Sequence, residues 1–590
     1  MAKDIFTVGP VLSFRGIVDG RWRVTALIGV TTDTITPTLE FEGRPCVAPT
    51  LLLEHKKERY WRYDLSCDLQ DNERKVVFGV GGGGPAWSFT VPGRGFAPRM
   101  AYVSCNGFSD PSGIRKLVKP ENAVWADLVG NHDRSLRGPD FKLDKEQLWH
   151  EARTQDKGVQ RFHLMLMGGD QLYFDSIWED LPKLKQWVGL SRSKQLTFAV
   201  TPTLEKEIEN YYFSLYAKRW LPPARKPWGT ANANGDAADA MARIPTVMMW
   251  DDHDIFDGWG SYSEPMQHSP VFQTLFKHAR RAFWVFQLQH AVGDLPTLEE
   301  LDLPNMSRKD PQFKAISWRK HQAKDSLALP LIDDQPGFTF AHQVGPVAIV
   351  AADLRTERSR TQILGMATWD KLQKWLSALP AKGKAAPNTG CQHLLLLSSV
   401  PVVHPKLSLA EGLMDTFGQD HVLDSSADDL KDHWANDDHE GERKRLLETL
   451  ARTAEDKLLR VSIVSGDVHV AAWGSAYRRD IPPNATWAHI QQFTSSAVVH
   501  PSLMGVAERL FLYLLNSMAS KPQLIDVQHV VEMMLFPGHN RYVMPARNWL
   551  ALELDMGTNG NDCKLWATWR CEAENGFSNH LQAVQPARLG

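Results

Sequence analysis

Short apolar runs, each followed by a polar tip, recur along the chain from about residue 100 to about residue 500. Longer segments with the spacing of an amphipathic helix, such as Val271–Ala291 and Met366–Leu379, lie between several of them. Buried strands that alternate with such helices predict an α/β domain, in which the functional loops lie at the carboxyl ends of the strands. The runs are Met100–Val103, Phe162–Met167, Val247–Trp250, Val347–Ala352, Leu394–Leu397, Val461–Val464 and Ile490–Phe493.

The first 98 residues have a different pattern of apolar, polar and turn-forming residues. Segments 21–30 and 60–65 are rich in β-branched and aromatic residues, and turn-forming Asp-Gly, Glu-Gly and Asp-Asn pairs separate such segments. A glycine-rich stretch and the Pro/Gly-rich sequence Val91–Gly95 close this part. The pattern predicts a small N-terminal β-sandwich domain over residues 1–98, which leaves residues 99–590 for the α/β domain. Nearer the other end of the chain, segments 503–516 and 526–535 are expected to be helical.

Composition narrows the class of protein. A chain of 590 residues is too long for one ordinary domain, so two or more compact units are expected. The formal net charge of -3 and the lack of a Lys/Arg-rich block argue against nucleic acid as a partner. Six cysteines are too few for a disulfide framework. With no visible signal peptide and no apolar segment of spanning length, a cytoplasmic protein without a membrane span is expected.

The first tip that carries chemistry is Gly169–Tyr173. Asp170 follows the apolar run and two glycines, so its carboxylate would project from a tight turn after a strand. A carboxylate in that position can bridge two cations, and the phenol of Tyr173 can bind a trivalent iron as phenolate. The alternative is that Asp170 caps a helix and Tyr173 only packs.

Two further tips carry carboxylates and imidazoles. In Asp251–Asp254, four consecutive ionisable residues need a cation or strong hydrogen bonds unless they form a solvated acidic loop. His253 has the chemistry to protonate a leaving alkoxide or to hold a phosphoryl group. Asp257 is a further possible ligand. Asp467 and His469 lie two positions apart, so on an extended tip both would point to the same side.

A fourth tip is Ser104–Asn106. Cys105 at its centre has three possible interpretations: it is a buried small hydrophobe, a thiolate ligand or a nucleophile. No single tip is decisive, but the same arrangement occurs four times. Their combination predicts a metal centre assembled from distant parts of the chain.

These tips resemble those of the PhoD-like phosphatase family, within the wider calcineurin-like metallophosphoesterases. The resemblance implies an αββα metallophosphoesterase sandwich behind an N-terminal β domain. It also implies that a small phosphate ester, either a monoester or a diester, is hydrolysed by metal-activated hydroxide. The motifs occur in the family's order and span roughly residues 100–500. They are Ser104–Asn106, Gly169–Tyr173, Trp250–Asp254, Asp353–Ser359 and Gly466–His469.

The resemblance also implies a ligand set for iron. Cys105, Asp170 and Tyr173 would hold a ferric ion, with His469 as an added ligand. A thiolate and a phenolate are donors that suit this ion.

A second site and two catalytic groups follow from the same resemblance. Asp170 would bridge to a second divalent cation, calcium in this family, together with Asp252 and Asp467. His253 matches the general-acid or phosphate-contacting histidine of the wider superfamily. Arg355 resembles the phosphate-binding arginine, because its planar fork suits a phosphoryl group; a structural salt bridge is its alternative.

Some positions stay open. Asp257 stands where family members often have Asn, and His404 is a candidate for a remaining histidine ligand. Secreted family members carry an export signal, and none is visible here. Gly130–Asp133 is a literal match to a metallophosphoesterase signature, but it precedes Asp170 instead of following it. We expect it on a surface loop, outside the site.

Two other classes of protein remain possible on the sequence. A nucleophilic serine or cysteine enzyme is the weaker, because no Gly-x-Ser-x-Gly elbow precedes a helix and Cys105 has no histidine nearby in sequence. A non-catalytic, metal-stabilised scaffold would predict missing ligands. The principal tips instead keep metal-binding side chains.

Overall fold

The computed structural model describes residues 6–46, 48–109, 111–133, 162–222, 235–301, 314–381, 390–405, 434–501, 506–556 and 563–589. Within these ranges the chain is a mixed α/β structure with large sheets. The strands are β1 (Val8–Val18), β2 (Arg21–Thr31), β3 (Leu39–Phe41), β4 (Arg44–Pro45), β5 (Thr50–His55), β6 (Glu58–Asp68), β7 (Arg74–Val80), β8 (Ala86–Val91), β9 (Met100–Val103), β10 (Leu164–Gly168), β11 (Thr246–Met249), β12 (Phe340–Val344), β13 (Val347–Ala351), β14 (His393–Ser398), β15 (Arg460–Ser465), β16 (Ala471–Arg478), β17 (Ile490–Ser495), β18 (Gln523–Leu524), β19 (His529–Met534), β20 (Val543–Met544), β21 (Asn548–Asp555), β22 (Lys564–Ala573) and β23 (Gly576–Val584).

Two of the longer helices begin at a side-chain cap. Thr201 and Ser269 accept hydrogen bonds from the backbone N–H groups of Leu204 and Phe272, in the first turns of the helices that follow them, and a proline stands directly after each cap. The helices are α1 (Ala123–Asp133), α2 (Ile177–Asp180), α3 (Pro182–Val188), α4 (Arg192–Leu196), α5 (Pro202–Arg219), α6 (Gly235–Arg243), α7 (Glu264–Gln267), α8 (Pro270–Phe286), α9 (Trp318–His321), α10 (Met366–Ala378), α11 (Glu440–Lys457) and α12 (Val506–Ala519).

The strands form three sheets. The largest has the order β23-β22-β21-β9-β10-β11-β1-β2-β6-β5. The second has the order β12-β13-β14-β15-β17-β16-β19-β18, with β20 also paired to β16. A small third sheet has the order β4-β3-β7-β8. In the first sheet β9, β10 and β11 are parallel neighbours, and in the second β13, β14, β15 and β17 are. Their carboxyl ends therefore deliver the polar tips.

The second sheet is buried on both faces, as its continuous apolar runs require. Val347, Ile349 and Ala351 of β13 belong to a core that also contains residues of the largest sheet. Ala348 and Val350, which point the other way, belong to a core shared with residues of α10 and α11. This alternation places the second sheet between the largest sheet and a layer of helices.

The N-terminal strands join the largest sheet. β1 pairs in parallel with β11 at Ser13 and Thr246, and the Thr246 hydroxyl donates a hydrogen bond of 2.6 Å to the carbonyl of Leu12. β2, β6 and β5 extend the same sheet, whereas β3, β4, β7 and β8 form the third. A separate N-terminal sandwich is thus not confirmed, and the domain boundary at residue 98 stays a prediction.

Two local predictions were wrong. The segment expected to be a helix at 526–535 contains β19, because it pairs with β16 along six residue pairs from Trp473–Met534 to Arg478–His529. The signature Gly130–Asp133, expected on a surface loop, is the last turn of α1. Its histidine is buried and accepts a hydrogen bond of 3.0 Å from the backbone N–H of Phe162.

Among the described residues, none of the helices combines the length and the apolar character that crossing a bilayer requires.

A buried ion pair fixes β6 to the segment that precedes β12. The guanidinium of Arg62 donates to both carboxylate oxygens of Asp325, at 2.8 and 2.6 Å, and to Asp64 at 2.9 Å. The same carboxylate lies 3.0 Å from Nδ1 of His290, whose pKa burial lowers to about 3, so this histidine is neutral at pH 7. Arg62 is thus the main source of positive charge for Asp325.

Replacing Arg62 by Met should therefore leave Asp325 as a poorly compensated buried charge. We expect the free energy of unfolding, measured with urea, to fall by about 3 kcal/mol. The matched control is Arg59→Met on the same strand, because Arg59 pairs with the half-exposed Glu54. That variant should lose less than about 1 kcal/mol. Equal losses in the two variants would contradict this account.

Candidate metal centre

The predicted tips come together at the carboxyl ends of strands from both large sheets. Cys105 follows β9, Asp170 follows β10, and Asp467 and His469 follow β15. All four have φ angles in the left-handed region, between 54° and 69°. Such a backbone costs roughly 1 kcal/mol or more for a residue with a Cβ, and it clusters at functional sites. The turns that aim these side chains are thus held by the surrounding structure.

Gly169 allows the tips after β10 and β11 to approach closely. Its φ of 111° belongs to glycine, and a Cβ there would lie 2.6 Å from the Cβ of Asp251. Any other residue would push the two tips apart.

The predicted iron ligands are close to one another. The sulfur of Cys105 lies 3.4 Å from Oδ2 of Asp170. The buried phenol of Tyr173 is close enough to interact electrostatically with both residues. Nε2 of His469 is buried and has no hydrogen-bond partner among the described residues.

The carboxylates form two overlapping groups. Asp170, Asp252 and His253 each offer one ligand atom, and these three atoms lie within 4.8 Å of one another. Asp251, Asp252 and Asp467 do the same. Each group is a position at which a cation could bind. Asp252 belongs to both groups, so the two positions adjoin each other at this residue.

Several atoms at the site are left without a hydrogen-bond partner in the part of the chain that is described. They include Oδ1 of Asp170, Oδ2 of Asp251 and Nε2 of His469, all buried. Buried polar atoms are nearly always satisfied, so such a cluster calls for a missing partner. Oxygen, sulfur and imidazole donors are metal ligands. The residues therefore fit bound cations.

The pKa shifts of the buried carboxylates also favour bound cations. Burial is the main cause that raises the pKa of Asp170 well above its usual value, and the carboxylates of Asp251 and Asp252 add to it against the opposing effect of His253. Burial likewise raises the pKa of Asp251, although Arg355 opposes the shift. A bound cation would hold these carboxylates in the ionised form.

Arg355 lies behind the carboxylates. It is fully buried, its Nε donates to Oδ1 of Asp251, and its Nη2 lies 3.4 Å from Oδ1 of Asp252. Nη1 donates to the carbonyl of Trp259 at 3.0 Å. These contacts are those of the salt-bridge alternative. A contact between Arg355 and a phosphoryl group stays a prediction.

His253 is held by a residue that sequence reasoning missed. Its Nδ1 lies 2.8 Å from Oδ2 of Asp175, and its ring stacks on Tyr173 with 4.2 Å between the ring centroids. Burial alone would lower the pKa of His253, but Asp175, Asp252 and Asp170 raise it well above its usual value. Because the contact with Asp175 uses Nδ1, Nε2 is the nitrogen of His253 that remains for the site. Asp175 stands two positions after Tyr173, but nothing in the sequence around it indicated this role.

The four residues of the tip Asp251–Asp254 make different contacts. Asp254 accepts hydrogen bonds from the backbone N–H groups of Asp251, at 3.0 Å, and Leu172, at 3.2 Å. It therefore closes the loop and leaves Asp251 and Asp252 to face the site. The sequence alone could not assign these roles, because they depend on the 3-10 turn Asp252–Asp254.

Other residues occupy the margins of the site. The backbone N–H of Asp257 donates to Asp175 at 2.8 Å, and neither Asp257 nor the buried His404 belongs to the ligand groups above. Their roles as ligands stay predictions. His500, which carried no sequence signal, stacks on His469 with 3.6 Å between centroids.

Comparison with known proteins adds an independent result. The sequence model of the family described as PhoD related phosphatase matches residues 132–306, 320–424 and 412–525, which make up more than half of the chain. The chain is also 25% identical over 448 residues to the uncharacterized protein YGR266W of Saccharomyces cerevisiae. That match covers 70% of this chain and 56% of the yeast protein, so the chain spans about half the length of this curated relative. Cys105 lies before the residues that the family model matches.

Asp170 is the residue on which metal binding should depend most, because it contacts Cys105 and also belongs to one carboxylate group. We expect Asp170→Asn to retain less than about a tenth of the bound metal of the wild type, as measured by elemental analysis after gel filtration. Asp180→Asn is the matched control, because Asp180 is exposed and its carboxylate accepts from Tyr211 at 3.2 Å. Full metal content in Asp170→Asn would contradict this assignment.

Proposed function

The chain belongs to the family of PhoD-related phosphatases, and from that premise we propose that it hydrolyses phosphate esters in a metal-dependent reaction. The observation that carries the proposal is the cluster of buried carboxylate, thiol and imidazole groups, several with unpaired atoms, at the carboxyl ends of strands from two sheets. The α/β layers described above support an αββα sandwich as the finer description of the fold.

We propose two cation sites within this cluster. Cys105, Asp170 and Tyr173 would hold a ferric ion, with His469 as the added ligand, since sulfur and phenolate donors suit it. Asp170, Asp252 and Asp467 would hold calcium, which prefers carboxylate oxygens. When bound, such a pair supplies a lowered water pKa and positive charge for the phosphoryl oxygens.

The remaining roles belong to the chain's own side chains. His253, oriented through Nδ1 by Asp175, would carry a proton at Nε2 and deliver it to the departing alcohol oxygen. Arg355 would hold Asp251 and Asp252 in place from behind, and its guanidinium would add positive charge for the phosphoryl group. Burial around these groups keeps water away, which strengthens each of these interactions. A cytoplasmic location, a small-molecule substrate and the absence of a nucleic-acid partner stay predictions.

The proposal is tested by elemental analysis of the purified protein beside hydrolysis assays. We expect iron and calcium together with turnover of p-nitrophenyl phosphate or bis-p-nitrophenyl phosphate that a chelator abolishes. The preferred ester distinguishes a monoesterase from a diesterase. A metal-free and inactive protein would contradict the proposal and leave family membership as a matter of fold.

Asp175 gives a sharper test of proton donation. In Asp175→Asn we expect kcat to fall by about 10²-fold for phenyl phosphate and far less for p-nitrophenyl phosphate, whose leaving group needs little protonation. Metal content should stay at the wild-type level, because Asp175 contacts Nδ1 of His253, and neither residue is among the proposed cation ligands. Asp180→Asn serves again as the control. Equal losses on the two esters would show that Asp175 has no part in proton transfer.

A further inference from the structure

The sulfur of Cys105 is surrounded by oxygen atoms from four parts of the chain. The Ser496 hydroxyl lies 3.0 Å from it, the Ser104 hydroxyl 3.6 Å and the Asp170 carboxylate 3.4 Å. The backbone carbonyl of Asp467 is 4.0 Å away. The charge on the sulfur depends on which of these groups donate a hydrogen bond to it.

The hydrogen of each hydroxyl can be assigned from its other contacts. Ser104 donates its hydrogen to the carbonyl of Ser495 at 3.1 Å, so its proton points away from the sulfur. The Ser496 oxygen accepts the backbone N–H of His469 at 2.9 Å. A hydroxyl has one hydrogen to give, and a thiolate can only accept, so Ser496 donates to Cys105 when Cys105 is a thiolate.

The other neighbours of the sulfur do not compete as donors in that state. A carboxylate and a carbonyl have no hydrogen to donate. The phenol of Tyr173 also interacts with Cys105, but as a phenolate ligand it would have no proton. Among the described contacts of the sulfur, the Ser496 hydroxyl is thus the one left to donate.

Ser496 is fixed from both large sheets. It directly follows β17 and is fully buried, and its carbonyl accepts from Nδ2 of Asn548 at 2.6 Å. Asn548, the first residue of β21, also accepts from the Ser495 hydroxyl at 2.6 Å. The position of Ser496 is therefore set by hydrogen bonds between strands of different sheets.

We propose that Ser496 is a positioning residue that donates a hydrogen bond to the sulfur of Cys105 while it anchors the backbone of His469. It thereby couples two predicted ligands and withdraws charge from the sulfur, so that the sulfur donates less charge to a metal bound to it. Hydrogen bonds to ligand sulfurs tune metal sites in this way. The inference rests on the proposed function only in taking Cys105 as a metal ligand.

The test uses protein loaded with Co²⁺, whose sulfur-to-metal charge-transfer band reports on the thiolate whatever the native metal is. The Cys105 band is identified by its loss in Cys105→Ser. In Ser496→Ala we expect the band to move to longer wavelength, because the unbonded sulfur donates charge more readily. Ser496→Thr, which keeps the hydroxyl, should restore the wild-type band.

Ser104→Ala is the matched control, since it removes a hydroxyl near the same sulfur whose hydrogen points elsewhere, and its band should not move. Ser496→Gly repeats the test should Ser496→Ala not fold. An unshifted band in a folded variant without the Ser496 hydroxyl would overturn the inference, as would equal shifts in Ser496→Ala and Ser104→Ala. So would a wild type without a Cys105-dependent band. Phosphatase assays on the same samples separate this outcome from failure of the proposed function, because a shifted band in an inactive protein would support Ser496 alone.

Discussion

The crowding of buried carboxylates is the constraint on which the rest of this structure depends. Asp170, Asp251, Asp252 and Asp254 are each 3% exposed or less. An uncompensated buried anion costs several kcal/mol. Asp254 is satisfied by backbone N–H groups, and Arg355 contacts two of the others, but unpaired carboxylate oxygens remain. Bound cations would resolve this imbalance, and the same positive charge is what phosphoryl transfer requires.

The predicted ligands come from both large sheets. Left-handed turns after β9, β10 and β15 aim Cys105, Asp170 and Asp467 at one region, and Gly169 lets the tips after β10 and β11 meet. Ser496 then ties the site to β17 and β21. The strain of these turns is offset by burial of the strands that precede them, all of whose residues are buried. A ligand set built on strand ends is also more rigid than one built on long loops.

Much of this arrangement could be predicted from the sequence. The apolar runs predicted β9, β10, β11, β13, β14, β15 and β17 to within a few residues, because continuous apolar segments with polar tips leave few alternatives. α8 ends at Phe286, five residues before the expected Ala291. The sequence also predicted that the N-terminal segments form strands. It did not predict which strands they pair with, because the alternation of apolar and polar residues is the same in either sheet.

The parts that sequence reasoning missed depend on contacts between distant residues. Nothing local distinguishes Asp175, which orients His253, from any other acidic residue in a loop. Ser496 acquires its role only because β17 ends beside Cys105, 391 positions away. The signature Gly130–Asp133 was set aside on the order of the motifs, and its place at the end of α1 was not predicted.

The most direct measurement is X-ray diffraction from crystals of the purified protein, with data collected at wavelengths on both sides of the iron absorption edge. The account predicts an anomalous peak for iron among Cys105, Asp170 and Tyr173. It also predicts a second metal about 3.5–4 Å away, beside Asp252 and Asp467. A well-ordered site with water alone at both positions, in protein that hydrolyses phosphate esters, would contradict it.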